Sequence, residues 1–304
     1  MRAGRLEGRA RARVRAAVQA EATRSAPPEV ATVVAALRAR FGDAFAGALF
    51  YGSCRRQPDP DGILDLHVLV HDLRRALGPL QAALCRALPP TVAYLEVQHD
   101  GTTVRCKYAV LSQRQFRRGC SRAAYHSYFW GRYAQPLTLV GVDAEALQAR
   151  IDDLVTAVET LALRALPRLG PVSDARSYWL GALRLSYRAE LRPEGRDRSL
   201  ALVDAHHDYY RETGEALLDA LGTPYRASAW ARLDWGARIA LGKLLSVGRL
   251  IKALFTFDGA LDYAAWKLER HTGVPVEITP AARRRPLLHV WPLVWRLWRQ
   301  RVFR

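Results

Sequence analysis

The chain has 304 residues, half of them hydrophobic, enough to bury one large core or two modest ones. Lysine and arginine number 46 against 29 acids, and the formal net charge of +17 points to a polyanionic partner: nucleic acid, an anionic membrane surface or a nucleoside triphosphate. No run of about 18 uncharged apolar residues occurs, which argues against a transmembrane helix, so any membrane contact is expected to be peripheral. Cys54, Cys85, Cys106 and Cys120 are spaced too widely for a Cys-x-x-Cys zinc knuckle, and no secretory signal precedes them, which suggests reduced thiols in a cytoplasm-like compartment. Lysine occurs only at 107, 243, 252 and 267; with abundant alanine, this arginine bias is also what a GC-rich coding sequence produces.

Arginine alternates with alanine and glycine from Arg2 to Arg15, with Glu7 and Glu21 interspersed, which predicts a solvated basic helix or frayed arm rather than a transit peptide. Pro27-Pro28 ends it. From Glu29 to Arg40, Val30, Val33, Val34 and Leu37 have the spacing of a helix that packs on a sheet. Leu49-Phe50-Tyr51-Gly52-Ser53-Cys54 reads as a strand and a tight turn, and Ile63 to Val70 as a second strand carrying Asp65 near its start. Gly52 lets backbone approach a ligand closely, and Ser53 offers a hydroxyl and an N–H where a turn or helix start would meet a triphosphate. An aspartate in an apolar strand requires a cation or donors close by. Strand, Gly-Ser turn and strand aspartate, in this order, are the layout of a nucleotidyltransferase site, although a Gly-Ser pair by itself is more often only a turn.

His71 to Leu88 reads as a helix closed by Pro89-Pro90, and Thr91 to Gln98 and Thr102 to Leu111 as strands joined at His99-Asp100-Gly101. Alternation places Glu96 on a face with Val92 and Tyr94, and Lys107 on a face with Arg105. Glu96, His67 and Lys107 then converge near Asp65 if the faces match, although each is also ordinary as a strand residue. Between Ser112 and Val140 aromatics interleave with arginines (Phe116, Tyr128, Phe129, Trp130, Arg132, Tyr133), for which packing on the sheet is favoured over base stacking. Ala144 to Leu166 is a helix ended by Pro167, and Pro171 marks a domain boundary. Further helices are expected over Trp179 to Leu191, Leu200 to Leu221 and Trp230 to Phe257. Asp204, His206, His207 and Asp208 suggest a metal cluster, but neighbours on a helix point apart, and the solvated reading is preferred. Arg249, Lys252, Lys267 and Arg270 stand among apolar residues and would suit an anionic acceptor.

Finally, Arg283-Arg284-Arg285 precede Leu288, Trp291, Trp295, Trp298 and Val302, interleaved with Arg296, Arg299, Arg301 and Arg304. This predicts an amphipathic membrane anchor, with core packing as the alternative. The expected organisation is α+β: a basic arm (1–26), a nucleotidyltransferase-like domain with a small mixed sheet flanked by helices (27–170), a mainly helical domain (171–282) and a basic, Trp-rich tail (283–304).

These residues resemble the mitochondrial-type phosphatidate cytidylyltransferases, the peripheral CDP-diacylglycerol synthases. That family's Tyr-Gly-Ser-Gly turn is similar to Tyr51-Gly52-Ser53-Cys54, its Leu-Asp-Phe strand to Leu64-Asp65-Leu66, and its Lys-Tyr-Gly-Val-Ile-Ser to Lys107-Tyr108-Ala109-Val110-Leu111-Ser112. Its Gly-Arg motif resembles Gly131-Arg132 ahead of Pro136, and its Leu-Ser-Tyr-x-Gly-Asp-x-Arg resembles Leu185 to Arg192. The ordered match covers roughly residues 40 to 215. Cys54 and Ala109 each replace a glycine, Gln135 stands in a Lys position, and Ala189-Glu190 stands for Gly-Asp; the fold's usual second aspartate is His67. The resemblance suggests a divergent bacterial branch.

The resemblance implies transfer of CMP from CTP to phosphatidate, giving CDP-diacylglycerol and pyrophosphate, by a protein on the inner face of the cytoplasmic membrane. It assigns Asp65 to Mg²⁺ with Glu96 or Glu190, Tyr51, Gly52 and Ser53 to the nucleotide, and Lys107 and Arg132 to phosphate charge. An anionic membrane surface held by the tail is the expected partner, with no stable nucleic-acid partner. Alternatives are a nucleotidyltransferase acting on a small molecule, RNA or protein, and a non-catalytic basic module that binds membrane or nucleic acid.

Overall fold

The computed structural model describes residues 6–266 apart from 58, 60, 61, 192–195, 225, 260, 261 and 264, with backbone alone at 196–198. The tail over 283–304, with Lys267 and Arg270, therefore lies outside the described residues. The architecture is α+β. Helices α1 (Gly8–Ala22) and α2 (Pro28–Phe41) precede strand β1 (Phe45–Tyr51), the single turn α3 (Ser53–Arg56) and β2 (Ile63–Val70). Helices α4 (Leu73–Leu77) and α5 (Pro79–Ala87) then lead to β3 (Thr91–His99) and β4 (Thr102–Ser112), followed by α6 (Gln113–Cys120), α7 (Trp130–Tyr133) and β5 (Thr138–Val140). The remainder is helical: α8 (Ala144–Leu169), α9 (Ala175–Arg188), α10 (Arg196–Ala205), α11 (His207–Leu221) and α12 (Ala229–Thr256). No described helix is long and apolar enough to cross a membrane.

The strands form one sheet in the order β3-β4-β2-β1-β5, antiparallel except for the parallel pair β2 and β4. The hairpin between β3 and β4 turns on Asp100 (φ 46°) and Gly101 (φ 77°), two left-handed residues that suit the strand twist. Ala48, Phe50, Leu66, Val68 and Tyr108 face α2 and α5 in one core. Leu49, Leu69 and Leu111 face the other way and join a larger core reaching from Leu6 to Trp235. Because the sheet and the later helices share that second core, the chain at Pro171 is a turn between α8 and α9, and one set of apolar residues spans both sides of it.

Several expected boundaries shift for local reasons. The single helix expected over His71 to Leu88 divides at Gly78 (φ 75°), where Pro79 begins α5 and Asp72 caps α4 through the N–H groups of Arg74 and Arg75. The expected helix over Leu200 to Leu221 is interrupted at His206 (φ −127°, ψ 41°). The basic arm differs most. It is docked: Val14, Val18 and Ala22 are buried against α8 and α11, Arg13 pairs with Glu212, Glu215 and Asp219, and Arg11 pairs with Glu159. A short stripe at i, i+4 and i+8 was enough to bury α1 because two later helices supply acids to its arginines.

Candidate active site

Pairing register decides which predicted residues meet. Tyr51 lies opposite Asp65, Asp65 opposite Lys107, Lys107 opposite Tyr94, and Arg105 opposite Glu96. Residues paired in this way share a face, so Tyr51, Asp65, His67, Lys107 and Glu96 are on one side of the sheet. With strands about 4.8 Å apart, Asp65 and Lys107 are neighbours, whereas Glu96 stands two strands and one row away, roughly 10 Å or more. Glu96 is engaged locally, accepting from the Tyr94 hydroxyl at 2.6 Å and facing Arg105 Nε at 3.5 Å.

Gly52 is built against Asp65. Its φ of 97° is left-handed, and a Cβ there would lie 2.7 Å from Asp65 Oδ2. Among the described residues no hydrogen bond or ion pair reaches the Asp65 carboxylate. Ser53 is exposed at the start of α3, while Cys54 turns inward and its Sγ donates to the carbonyl of Ile63 at 3.2 Å. Gly52→Ala should therefore displace Asp65 as well as strain the backbone, costing about 1–3 kcal/mol of stability. Urea unfolding equal to wild type would show that nothing depends on this close approach.

Beside Gly52 runs a narrow crevice of about 40 Å³, lined by Tyr51, Arg55, Arg56, Arg132, Glu190 and His206, among others. Gly131 makes it possible: a Cβ at this position would sit 2.7 Å from Ser186 Cβ, so α7 and α9 approach closely and bring Arg132 to Glu190. Arg132 Nη2 donates to both carboxylate oxygens of Glu190, at 3.1 and 3.0 Å, and its guanidinium lies over the Tyr51 and Tyr128 rings. Burial opposes the charge on Arg132, but Glu190 and the two tyrosines outweigh it and hold its pKa well above the ordinary value. Arg55, buried, pairs with Glu21 of α1 and donates to Thr138 Oγ1 at 3.0 Å. Among the described residues, one buried nitrogen on each arginine, Nη1 of Arg55 and Nε of Arg132, has no hydrogen-bond partner. Unsatisfied buried donors are uncommon, and two in one crevice suit an anion.

The remaining predicted residues separate. His67 is buried; its Nδ1 is 2.6 Å from the Tyr133 hydroxyl and its ring meets Tyr51 edge-on, so it holds α7 against the sheet. Glu190 belongs to Arg132. No group of three or more His, Cys, Asp or Glu side chains is placed to hold a metal ion among the described residues. Asp65 nevertheless suits Mg²⁺, which keeps several waters and needs only one or two carboxylates when phosphate oxygens complete its shell. Arg249 and Lys252, expected to be free for an acceptor, are tied down: Arg249 donates to the carbonyl of Pro89, and Lys252 Nζ to those of Leu88 and Pro90. The aromatics Phe116, Phe129, Trp130 and Tyr133 are buried packing residues, as the packing reading expects.

Reasoning from sequence missed Arg55 and Arg56, whose signal was their position directly after the Gly-Ser turn, and it misplaced His206. His207, Asp204 and Asp208 are exposed, but His206 is buried next to Glu21 and Arg55. Burial, then Arg55, lower its pKa to about 4 from 6.5. The unfolded chain takes up this proton below pH 6.5 while the folded chain resists it until about pH 4, so stability is full above 6.5 and declines between the two. His206→Gln should flatten that decline in a series of thermal midpoints; an unchanged slope would place the titration elsewhere. Comparison of the chain with protein-family models and with curated proteins finds no match to either.

Proposed function

We propose that this protein is a nucleotidyltransferase that transfers CMP from CTP to phosphatidate, producing CDP-diacylglycerol and pyrophosphate at a membrane surface. The observation that carries the reading is the close approach of Gly52 to Asp65, whose carboxylate has no hydrogen bond or ion pair among the described residues, near arginines with buried N–H groups that lack acceptors among the same residues. Asp65 would hold Mg²⁺ together with nucleotide phosphate oxygens, and the ion would neutralise charge that builds up during transfer. Arg55, Arg56 and Arg132 offer fixed positive charge to the β- and γ-phosphates, which depart as pyrophosphate. Lys107, next to Asp65 on β4, would receive the acceptor phosphate. An oxygen of that phosphate attacks the α-phosphorus, the bond to the bridging oxygen breaks, and pyrophosphate leaves with the electron pair. The protein's contribution is positioning and charge neutralisation.

The crevice is much smaller than the 300–1,000 Å³ or so usual for a ligand site, so only phosphate could enter it, and base and ribose would lie outside it. Incubation with labelled CTP, Mg²⁺ and phosphatidate should yield labelled CDP-diacylglycerol. Label on an RNA, protein or small-molecule acceptor instead would replace the lipid acceptor, and no turnover with any nucleotide would favour a binding module.

A further inference from the structure

The most unusual surface among the described residues lies on α12. Helix α12 has 28 residues, and its inward face is fastened by Trp235, Arg238, Arg249 and Lys252. Its outward face is apolar: Trp230 is 81% exposed, Leu244 68%, Ile251 54% and Leu254 62%, with Leu233, Val247, Leu250 and Phe255 also exposed. From Trp230 to Phe255 this stripe runs about 38 Å. An apolar surface of this extent on a charged protein marks an interface.

The charge around the stripe selects the partner. The one acid of α12, Asp234, is turned to Arg238 and to the Tyr125 hydroxyl, while Arg232 and Lys243 are exposed. The segments on which α12 packs, Pro89 and Tyr125–His126, also wall a cleft of about 700 Å³ that is lined by Arg86, Arg114 and Arg118 against one acid, Asp72. Those three arginines make no ion pair among the described residues. A second copy fits poorly: antiparallel pairing of two stripes would place Lys243 beside its own counterpart near the two-fold axis, with no acid to meet either. An apolar strip that carries exposed Arg232 and Lys243, next to segments that wall an arginine-rich cleft, instead matches acyl chains bordered by phosphates.

We propose that the outward face of α12, with the arginine-lined cleft beside it, docks the protein onto an anionic phospholipid bilayer. The stripe enters the boundary between headgroups and acyl chains, and the cleft receives headgroup phosphates. This attachment is separate from the C-terminal anchor expected from the sequence, and it does not depend on turnover.

Co-sedimentation of the full chain with vesicles of equimolar phosphatidylcholine and phosphatidylglycerol, without nucleotide, tests it. Leu244→Glu with Ile251→Glu should weaken partitioning at least about tenfold, and Arg114→Gln with Arg118→Gln roughly tenfold, both with unchanged thermal midpoints because these side chains are exposed. Equal binding by the first variant, or undiminished wild-type binding to pure phosphatidylcholine vesicles, would overturn the proposal. So would a wild-type dimer that Leu244→Glu dissociates, which would mean that a second copy covers the face. A marked loss of thermal stability in the Leu244→Glu and Ile251→Glu variant would mean that another part of the chain covers it. CMP transfer to soluble short-chain phosphatidate, measured on the same variants, reports on the proposed reaction independently.

Discussion

Asp65→Ala should lower nucleotide transfer by at least about three orders of magnitude while leaving the thermal midpoint of the apo protein at or above wild type. The carboxylate is half-buried in a strand, against the backbone of Gly52, and without a hydrogen-bond partner among the described residues, so its removal breaks no hydrogen bond among them. Desolvating an unpaired carboxylate costs stability, and alanine removes that cost. A structural aspartate would show the opposite pattern, with lost stability and retained turnover. Transfer within a few-fold of wild type would remove Asp65 from the site.

Glu190→Gln is the variant with the second largest expected effect, and it separates two roles for one residue. Arg132 and Glu190 both have side chains less than one-sixth exposed, at 13% and 14%, and the amide would leave the guanidinium buried without a counter-charge. Removing one partner of a buried pair typically costs about 3–5 kcal/mol; the residual exposure here puts the expectation near the lower end, about 2–3 kcal/mol. The loss should be the same with and without Mg²⁺, and the Mg²⁺ concentration for half-maximal transfer should not move. If that concentration rises severalfold in Glu190→Gln, the carboxylate is a metal ligand after all and its bond to Arg132 is exchanged during the reaction. Combining Arg132→Met with Glu190→Leu should recover most of the stability, because an apolar pair of similar volume needs no counter-charge.

The two variants act at opposite edges of one feature. Asp65 is carried by β2, and Arg132 is carried by α7, whose approach to α9 at Gly131 closes the crevice. A phosphate ligand seated there would contact both the strand and the helical half of the chain. Nucleotide binding should therefore protect backbone amides in α7 and α9 from hydrogen exchange as well as those around Gly52.

Local pattern alone determined a good deal. Alternation and turn residues placed β2, β3 and β4 within a residue, although β1 begins four residues before Leu49, because an apolar face and a Gly-containing turn specify register without distant partners. The Gly-Ser turn and the strand aspartate were legible for the same reason: each breaks a local rule, a glycine at a strand end and an acid in an apolar run. The outward apolar face of α12 was present in the helical pattern, but a sequence shows which residues share a face and not whether another element covers it.

Tertiary structure decided the rest. α1 carries only Val14, Val18 and Ala22 toward the core, and nothing nearby in sequence shows that α8 and α11 hold the acids its arginines meet. His206 has the same neighbours in sequence as exposed His207, yet it is buried because Arg55 and Glu21, more than 150 residues earlier in the chain, pack around it. Glu190 and Glu96 were candidate metal ligands as isolated acids, and they became ion-pair partners once folding set Arg132 and Arg105 beside them. The physical reason is common to all three. A charge is assigned its role by the groups that surround it after burial, and in this chain those groups come from strands and helices far apart in sequence.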